Sequence, residues 1–526
     1  MSTRQPSANA APFDCDPAAR EMILLPHAMS LEQSVLLADG KVLMLKIDPV
    51  SGEFVLTRHL RSGSLDESFG HHGIKRIASN LGCNARDISV ETAIPDVPHI
   101  SASRGACSGG VESGSQSTSS GIPMNTPYAT RNPGDLDIDF GFDGRAPFPP
   151  AMRSGKSKLL SDRRILSACT DTVTPSIIMT RHLWTGKLDV SYGDHGLVHI
   201  PLPEQPGGNL ADQVELLVLP DDSALVYGAL GKEDEHHSFV FHLLPDGELD
   251  SAFGVNGFCI LDLGGQSDLM TALELLDDGK VMACVISNRT TTPAFNGTCF
   301  VRLDNGHIDG SFGENGRGYV EASDHPLRHL AIAANGGYLL AGTSNDSTKA
   351  LFRQYHADGS PDLSFGTGGQ MPLPLPPGQA EIFQVKVQAD GKIVGVGVAN
   401  VGFGDHTLTT RLNPDGNLDS TFNGGEPKIM VFQGYETRNT SVDILPDGRI
   451  VTAGYTTAPV DVTLMRMEPD GRLDVSFGSN GQVISDLGGR ESCEGVAIQE
   501  DGKILAFGRR SSDLPFNHLF LARYLG

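Results

Sequence analysis

Asp470-Gly471-Arg472-Leu473-Asp474-Val475-Ser476-Phe477-Gly478-Ser479-Asn480-Gly481 is one copy of a pattern, DG-x-LD-x-SFG-x-x-G, that runs through the whole chain. Its aromatic position returns as Phe69, Phe140, Tyr192, Phe253, Phe312, Phe365 and Phe422 before Phe477. Three residues ahead of each stands an aspartate: Asp66, Asp137, Asp189, Asp250, Asp309, Asp362, Asp419 and Asp474. Successive aromatics lie 52 to 71 residues apart. A period of that size belongs to a repeat architecture, in which each unit buries its apolar face against its neighbours.

The motif is built from turn chemistry. Asp-Gly steps such as Asp246-Gly247, Asp415-Gly416 and Asp470-Gly471 suit backbone at positive φ, where glycine has no Cβ to clash. Asp also accepts a bond from the amide two residues on. The closing Asn-Gly is a short-range hairpin signal. The aromatic is the one large apolar residue in a polar turn, so it reads as an anchor between neighbouring repeats, worth roughly 1.5–3 kcal/mol when buried.

A second hairpin accompanies the motif. It is Val35-Leu36-Leu37-Ala38-Asp39-Gly40-Lys41-Val42-Leu43-Met44, with counterparts at Asp222-Ser223, Asp278-Gly279, Asn335-Gly336, Asp390-Gly391, Asp447-Gly448 and Asp501-Gly502. Each hairpin leads to a third strand carrying a basic residue: Arg58, Arg131, Arg181, His242, Arg302, Arg353, Arg411, Arg466 or Arg523. The motif follows, then a fourth strand such as Phe258–Leu261. Runs such as Lys392-Ile393-Val394-Gly395-Val396 alternate with period two and are β-branched, and no amphipathic helix stands out. Four short antiparallel strands per unit predict an all-β propeller of about eight or nine blades.

Residues 1–12 read as a disordered lead and 13–526 as a single repeat domain, with a flexible Ser/Gly-rich insertion over about 101–132. The chain stops after a third strand, whereas Met22-Ile23-Leu24-Leu25 stands where a fourth is due. The expected ring closure is therefore this N-terminal strand completing the last blade and covering its open edge.

Lys plus Arg number 40 against 64 Asp plus Glu, a formal charge of −24, and much of the acid is written into the turns. That balance excludes a sequence-independent nucleic-acid binder, which needs a basic stripe. The eight cysteines show no C-x-x-C spacing, no leader-like apolar segment opens the chain, and no run approaches the length of a membrane span. These features suit a cytoplasmic monomer, with export lacking a cleaved signal as the alternative.

Pro245–Gly257, Pro414–Gly425 and Pro469–Gly481, together with the Asp-Gly-Lys hairpin, resemble the bacterial delta-60 repeat. The resemblance covers nearly the whole chain from about residue 14. It implies a β-propeller and no common catalytic activity. Tyr192 in place of Phe, His242 in place of Arg and Asn423 in place of Gly are local departures.

Carboxylates four apart, as in Asp246/Asp250 and Asp470/Asp474, could suggest glycosidase acid/base chemistry, but a catalytic pair is unique and these recur with the fold. They read as turn caps. No cofactor is expected, with calcium on the motif aspartates as the alternative. In Arg58/Asp66, Arg181/Asp189, Arg411/Asp419 and Arg466/Asp474 the partners lie eight residues apart, which predicts a structural brace through two parallel hydrogen bonds. A ring of ligand-binding arginines around a central channel is the competing reading. His71, His72, Asp194 and His195 share the tip of equivalent turns and are the candidate metal ligands, weighed against plain solvated loop residues, as is His236-His237 with Asp234. No G-x-S-x-G, P-loop or H-E-x-x-H occurs, and the single Trp184 offers little for stacking sugars.

The function expected from this reading is a non-catalytic interaction scaffold that binds a protein or other macromolecule through one face. A metal-dependent propeller hydrolase or lactonase-like enzyme, and a secreted glycan- or calcium-binding surface protein, are the alternatives, since propellers host many functions.

Overall fold

The computed structural model describes strand backbone within residues 32–104 and, from 131 to 526, all but 142, 149–151, 172–173, 175, 204–210, 233–234, 290–293, 314, 403 and 512–516. The chain divides into two compact units, Met1–Thr126 and Pro127–Gly526. In the first, Glu32–Leu36, Val42–Ile47, Phe54–His59 and Ile74–Ile77 form an antiparallel sheet in chain order, and Ala85–Ile94 pairs with Val97–Arg104 as a hairpin. Arg58 falls in the third of these strands, whereas Asp39 and Gly40 lie outside the described residues. The lead 1–12, Met22–Leu25, Asp66, Phe69, His71, His72 and most of the insertion lie outside the described residues, although the first four insertion residues continue the strand Val97–Arg104.

Among the described residues of the second unit the strands form seven successive antiparallel groups, here called sheets one to seven, of which two and three are joined into one nine-stranded sheet by a short parallel pairing of His236 and His237 with Ser267 and Asp268. Sheet one is Met152–Leu159, Ile165–Asp171, Ser176–His182 and Leu197–Pro201, paired in chain order. The inner strands of sheets two to seven are Ala211–Val218, Ser267–Leu275, Leu327–Ile332, Gly378–Val387, Thr437–Ile444 and Arg490–Ile498. In all seven the recurring hairpin joins the first two strands, and in sheets one to six the motif joins the third to the fourth. The only helical element among the described residues is the 3-10 turn Asn423–Gly425, and no helix is long and apolar enough to cross a membrane.

Each inner strand carries a register shift against the second strand, for example between Met270 and Ala272, Leu327 and His329, Ile382 and Gln384, and Cys493 and Gly495. A bulge at one place in every inner strand bends it and re-aims its side chains. Apolar side chains of the broad middle strands then fill the space between sheets. Phe239, Leu216 and Met179 pack sheets one and two; Phe300, Leu340 and Tyr355 pack three and four; Phe507, Leu521 and Ile165 pack seven and one.

The motif aromatics are the anchors expected. Phe140, Tyr192, Phe253, Phe312, Phe365, Phe422 and Phe477 are all buried. Against six of them lies the glycine that opens the next motif, Gly186, Gly247, Gly306, Gly359, Gly416 or Gly471. Gly416 sits at φ +82°, and a Cβ there would fall 2.8 Å from the Phe365 ring, so both the turn and the close approach require glycine.

Sheet seven departs from expectation. It contributes three strands, Arg490–Ile498, Ile504–Ser511 and Asn517–Tyr524, and the edge of the last is taken by residues 134–146. Gly134 N, Asp137 N and Ala146 N donate to Leu525 O, Arg523 O and Leu521 O at 2.8, 2.7 and 2.8 Å, and Arg523 N returns a bond to Gly144 O at 3.0 Å. The bond from Asp137 N to Arg523 O repeats the one from Asp189 N to Arg181 O inside sheet one. The motif copy around Phe140 therefore belongs to the last sheet. The position assigned to Met22–Leu25 is filled by a segment that offers both the backbone groups and a motif copy that keeps Leu136, Asp137, Phe140, Gly141 and Gly144.

Candidate functional site

The repeated Arg and Asp meet, in a form richer than a two-bond pair. In sheet six Arg466 Nε donates to Asp474 Oδ2 at 2.7 Å, while Asp474 Oδ1 accepts from the amide and hydroxyl of Ser476 at 3.0 and 2.6 Å. Arg181–Asp189, Arg411–Asp419 and Arg302–Asp309 repeat the Nε bond at 2.8, 2.6 and 2.8 Å. The remaining guanidinium nitrogens reach elsewhere: Arg181 Nη1 to Pro245 O and Arg411 Nη1 to Pro469 O, both in the motif of the next sheet. The guanidinium also lies over the anchor ring, at 4.4 Å for Arg181 on Tyr192 and 4.6 Å for Arg466 on Phe477. Arg181 and Arg411 thus tie carboxylate, ring and neighbouring sheet together, whereas Arg466 and Arg302 turn their Nη2 to Ser476 and Ser311 of their own motif.

Two motif carboxylates take their partner from elsewhere, and the expected third-strand place of Arg131 is corrected. Arg353 does not brace Asp362; Gln354, the residue eight positions before it, donates to Asp362 Oδ2 at 3.1 Å, while Arg353 turns to Gln370 and Ser323. Strand alternation decides this, because only every second side chain faces the turn. Arg131 is not in a third strand and pairs with exposed Asp139; the brace on Asp137 is Arg523, at 2.9 Å. In sheet two His242 Nδ1 takes the arginine's place, 2.9 Å from Asp250.

The Asp-Gly-Lys hairpin has a purpose that its spacing hid. Its third residue reaches the same motif carboxylate: Arg164 to Asp189, Lys280 to Asp309, Lys392 to Asp419, Arg449 to Asp474 and Lys503 to Asp137, at 2.7 to 3.2 Å. Where the third-strand partner is His242 or Gln354, the hairpin residue is Ser223 or Gly337, without charge. Burial favours the neutral acid at Asp189, but bonds from Ser191 and Arg181 outweigh it and lower the pKa to about 2. The motif carboxylates are committed to structure. Asp246 and Asp470 likewise cap their turns, accepting from the amides of Glu248 and Arg472.

Of the metal candidates, Asp194 and His195 touch each other but are about nine-tenths exposed, and no third ligand joins them among the described residues. His237 does approach two carboxylates, Asp262 and Asp268. The described cysteines Cys169, Cys259, Cys284, Cys299 and Cys493 are buried free thiols, and burial raises Cys259 to about 11 and Cys493 to about 12, which removes them as nucleophiles.

Non-repeating chemistry gathers instead along the first strands of the sheets. Lys156 of sheet one lies 3.3 Å from Glu215 of sheet two and 3.6 Å from Glu494 of sheet seven. Lys386 pairs with Asp443 across sheets five and six. Burial raises the Glu274 pKa to about 7 despite the charges of Lys158 and Lys386, and burial with Arg328 and Lys156 lowers His329 to about 3. Lys158 is exposed to solvent, yet the protein crowded around it lowers its pKa. This cluster has no sequence signature, because each strand supplies one or two of its members. A separate open cavity of about 560 Å³, lined by Pro201, Phe258, Ile260 and His307, lies by the fourth strands and gathers little chemistry.

Seven exposed large apolar side chains lie in the motif turns: Ile138, Trp184, Val190, Val255, Ile308, Leu363 and Val475. The hairpin-to-motif ion pairs place these turns on the same face as the Asp-Gly hairpins.

A family model described as "Domain of unknown function (DUF5122) beta-propeller" matches residues 388–422 and 445–477. Both matches run from the residue that closes the hairpin, Gln388 or Leu445, to the anchor Phe422 or Phe477. No curated protein matches the chain by sequence. Among solved structures, a protein of unknown function from Dyadobacter fermentans aligns at 16% identity over 73% of this chain and 97% of its own, with a TM-score of 0.36. The polysaccharide lyase Uly1 aligns at 10% identity over 73% and 93%, with a TM-score of 0.40. A glucose dehydrogenase aligns at 14% over 58% and 95%, with a TM-score of 0.34. Superpositions this loose assign no activity.

Proposed function

We propose that residues 127–526 are a single seven-bladed propeller of the delta-60 repeat kind, closed by residues 134–146, and that it is a non-catalytic scaffold binding a macromolecular partner through its motif-turn face. The observation that carries this is the set of exposed apolar residues on that face. Val190, Leu363 and Val475 are 68%, 71% and 73% exposed at the same motif position, directly after the braced aspartate. Apolar side chains gathered on one face mark an interaction surface more often than chance exposure does. The repeat's carboxylates and arginines are spent on bracing, so they hold this surface in place. Five buried free thiols suit the reducing cytoplasm proposed for it.

The test is affinity capture with the full chain as bait, comparing wild type with a Val190→Asp, Leu363→Asp, Val475→Asp triple variant of unchanged melting temperature. A partner held by wild type and lost by the variant supports the face; equal retention by both rejects it. A second reading, an enzyme working along the first strands, is favoured by Glu274, whose carboxyl titrates near neutrality beside two lysines.

A further inference from the structure

The sequence Asp-Leu-Gly-Gly occurs twice, at Asp262–Gly265 and Asp486–Gly489, each time between a fourth strand and the next inner strand. Both copies bring three side chains together at the same place in the fold. At the junction of sheets two and three these are His237, Asp262 and Asp268; at that of sheets six and seven they are Asp461, Asp486 and Glu491. His237 and Asp461 are equivalent, each five residues before the brace residue, His242 or Arg466. Asp268 and Glu491 are equivalent by register, facing Ser287 and Arg510.

The two junctions are completed differently. Asp268 is fully buried and fully bonded, accepting from Leu263 N at 2.7 Å, Gly265 N at 3.3 Å and Ser287 Oγ at 2.5 Å. Glu491 is just as buried, at 0% exposure, but only its Oε2 accepts a bond, a long one of 3.3 Å from Leu487 N. Its Oε1 has no hydrogen-bond partner. The Arg510 Nε lies 3.4 Å away without forming a bond, because that guanidinium is drawn to the Gly488 carbonyl through Nη2 at 2.6 Å. Asp461 is 8% exposed, and no hydrogen bond or ion pair reaches its carboxylate among the described residues. Asp486 is exposed and spends one oxygen on Gly488 N at 2.7 Å, which leaves the other free at the solvent side.

We infer that Asp461, Asp486 and Glu491 form a binding site for a hard divalent cation, calcium, that ties sheet six to sheet seven. One oxygen from each residue lies within 4.8 Å of the others, which is about the span that two ligands of one calcium ion at 2.3–2.6 Å can bridge. Three carboxylates against the one guanidinium of Arg510 leave two negative charges, matching a divalent ion. An all-oxygen set suits calcium over zinc or copper. Burial and mutual repulsion raise the pKa values of Asp461 and Glu491, the cost expected of a carboxylate cluster that lacks its counter-ion. At the other junction His237 stands where the third carboxylate would be, and Ser287 supplies the donor that Glu491 lacks, so the buried carboxylate of Asp268 is satisfied by hydrogen bonds while only His237 Nδ1 is left without a partner. The motif aspartates, spent on arginine and serine, take no part.

The test uses the full chain stripped with chelator, titrated with calcium by calorimetry and followed by melting temperature. Wild type should bind one ion at this site with a dissociation constant on the order of 10⁻⁴ M and melt higher with calcium than without. Asp461→Asn and Glu491→Gln, which keep shape and fold, should each weaken binding at least tenfold. Without calcium, Asp461→Asn should melt no lower than wild type, because repulsion has been removed. Asp262→Asn should leave calcium binding unchanged. Absence of binding by wild type up to about 10 mM calcium, or equal binding by wild type, Asp461→Asn and Glu491→Gln, would overturn the site.

Discussion

Replacing Phe140 by alanine probes the joint between residues 134–146 and the last strand. The ring is completely buried, the Arg523 guanidinium covers one face at 4.5 Å, and Gly186 of sheet one presses against it so closely that a Cβ there would lie 2.8 Å away. The surrounding backbone is pinned by the bonds to Leu521, Arg523 and Leu525 and cannot collapse into the space. A rigid cavity of that kind puts the expected cost at about 3–5 kcal/mol, the usual range for a truncated core phenylalanine. Ile138, two residues away and 54% exposed, provides the control, and Ile138→Ala should cost no more than about 0.5 kcal/mol. Equilibrium urea unfolding measures both. A midpoint shift for Phe140→Ala no larger than that for Ile138→Ala would refute the anchoring role.

Other consequences are as direct. In a double-mutant cycle, Arg466→Ala and Asp474→Ala should couple by roughly 1–3 kcal/mol, since each buried partner leaves the other stranded; a coupling of zero would show that the brace carries no energy. Asp189 is held near pKa 2 against about 3.9 for an unfolded aspartate, so its contribution is present above about pH 4 and disappears as pH falls towards 2. Asp189→Asn should flatten the stability profile in that window, as read from melting temperature against pH, and an unchanged slope would contradict it. Glu274 has the opposite sign: its pKa is raised to about 7 in the fold, so it lowers stability progressively as pH rises from about 4 to 7. Glu274→Gln should abolish that decline, whereas a decline of equal size in the variant would place the titration elsewhere.

The repeat was readable because turns carry their chemistry locally. Asp-Gly, Asn-Gly and the lone aromatic each state a backbone requirement within a few residues, and the strands between them alternate cleanly. The brace is readable where its spacing holds at eight, as in Arg466 and Asp474, and has no basic residue to signal it where Gln354 occupies the inward side of the strand. The partnership of Asp137 with Arg523 was hidden by 386 residues of intervening chain. The charge cluster of the first strands left no trace, since Lys156, Glu215 and Glu494 meet only through the arrangement of separate sheets. The second Asp-Leu-Gly-Gly was visible in the sequence, but its meaning depends on Asp461, which another strand brings to it.

The claim that most of this rests on is that residues 134–146, and not an N-terminal strand, complete the last sheet. Native hydrogen exchange on a chain beginning at residue 127 tests it. The amides of Ala146, Arg523 and Leu525, which donate across this joint, should exchange as slowly as they do in the full-length protein. Loss of their protection once residues 1–126 are gone would return the edge to the N-terminal segment and contradict the account.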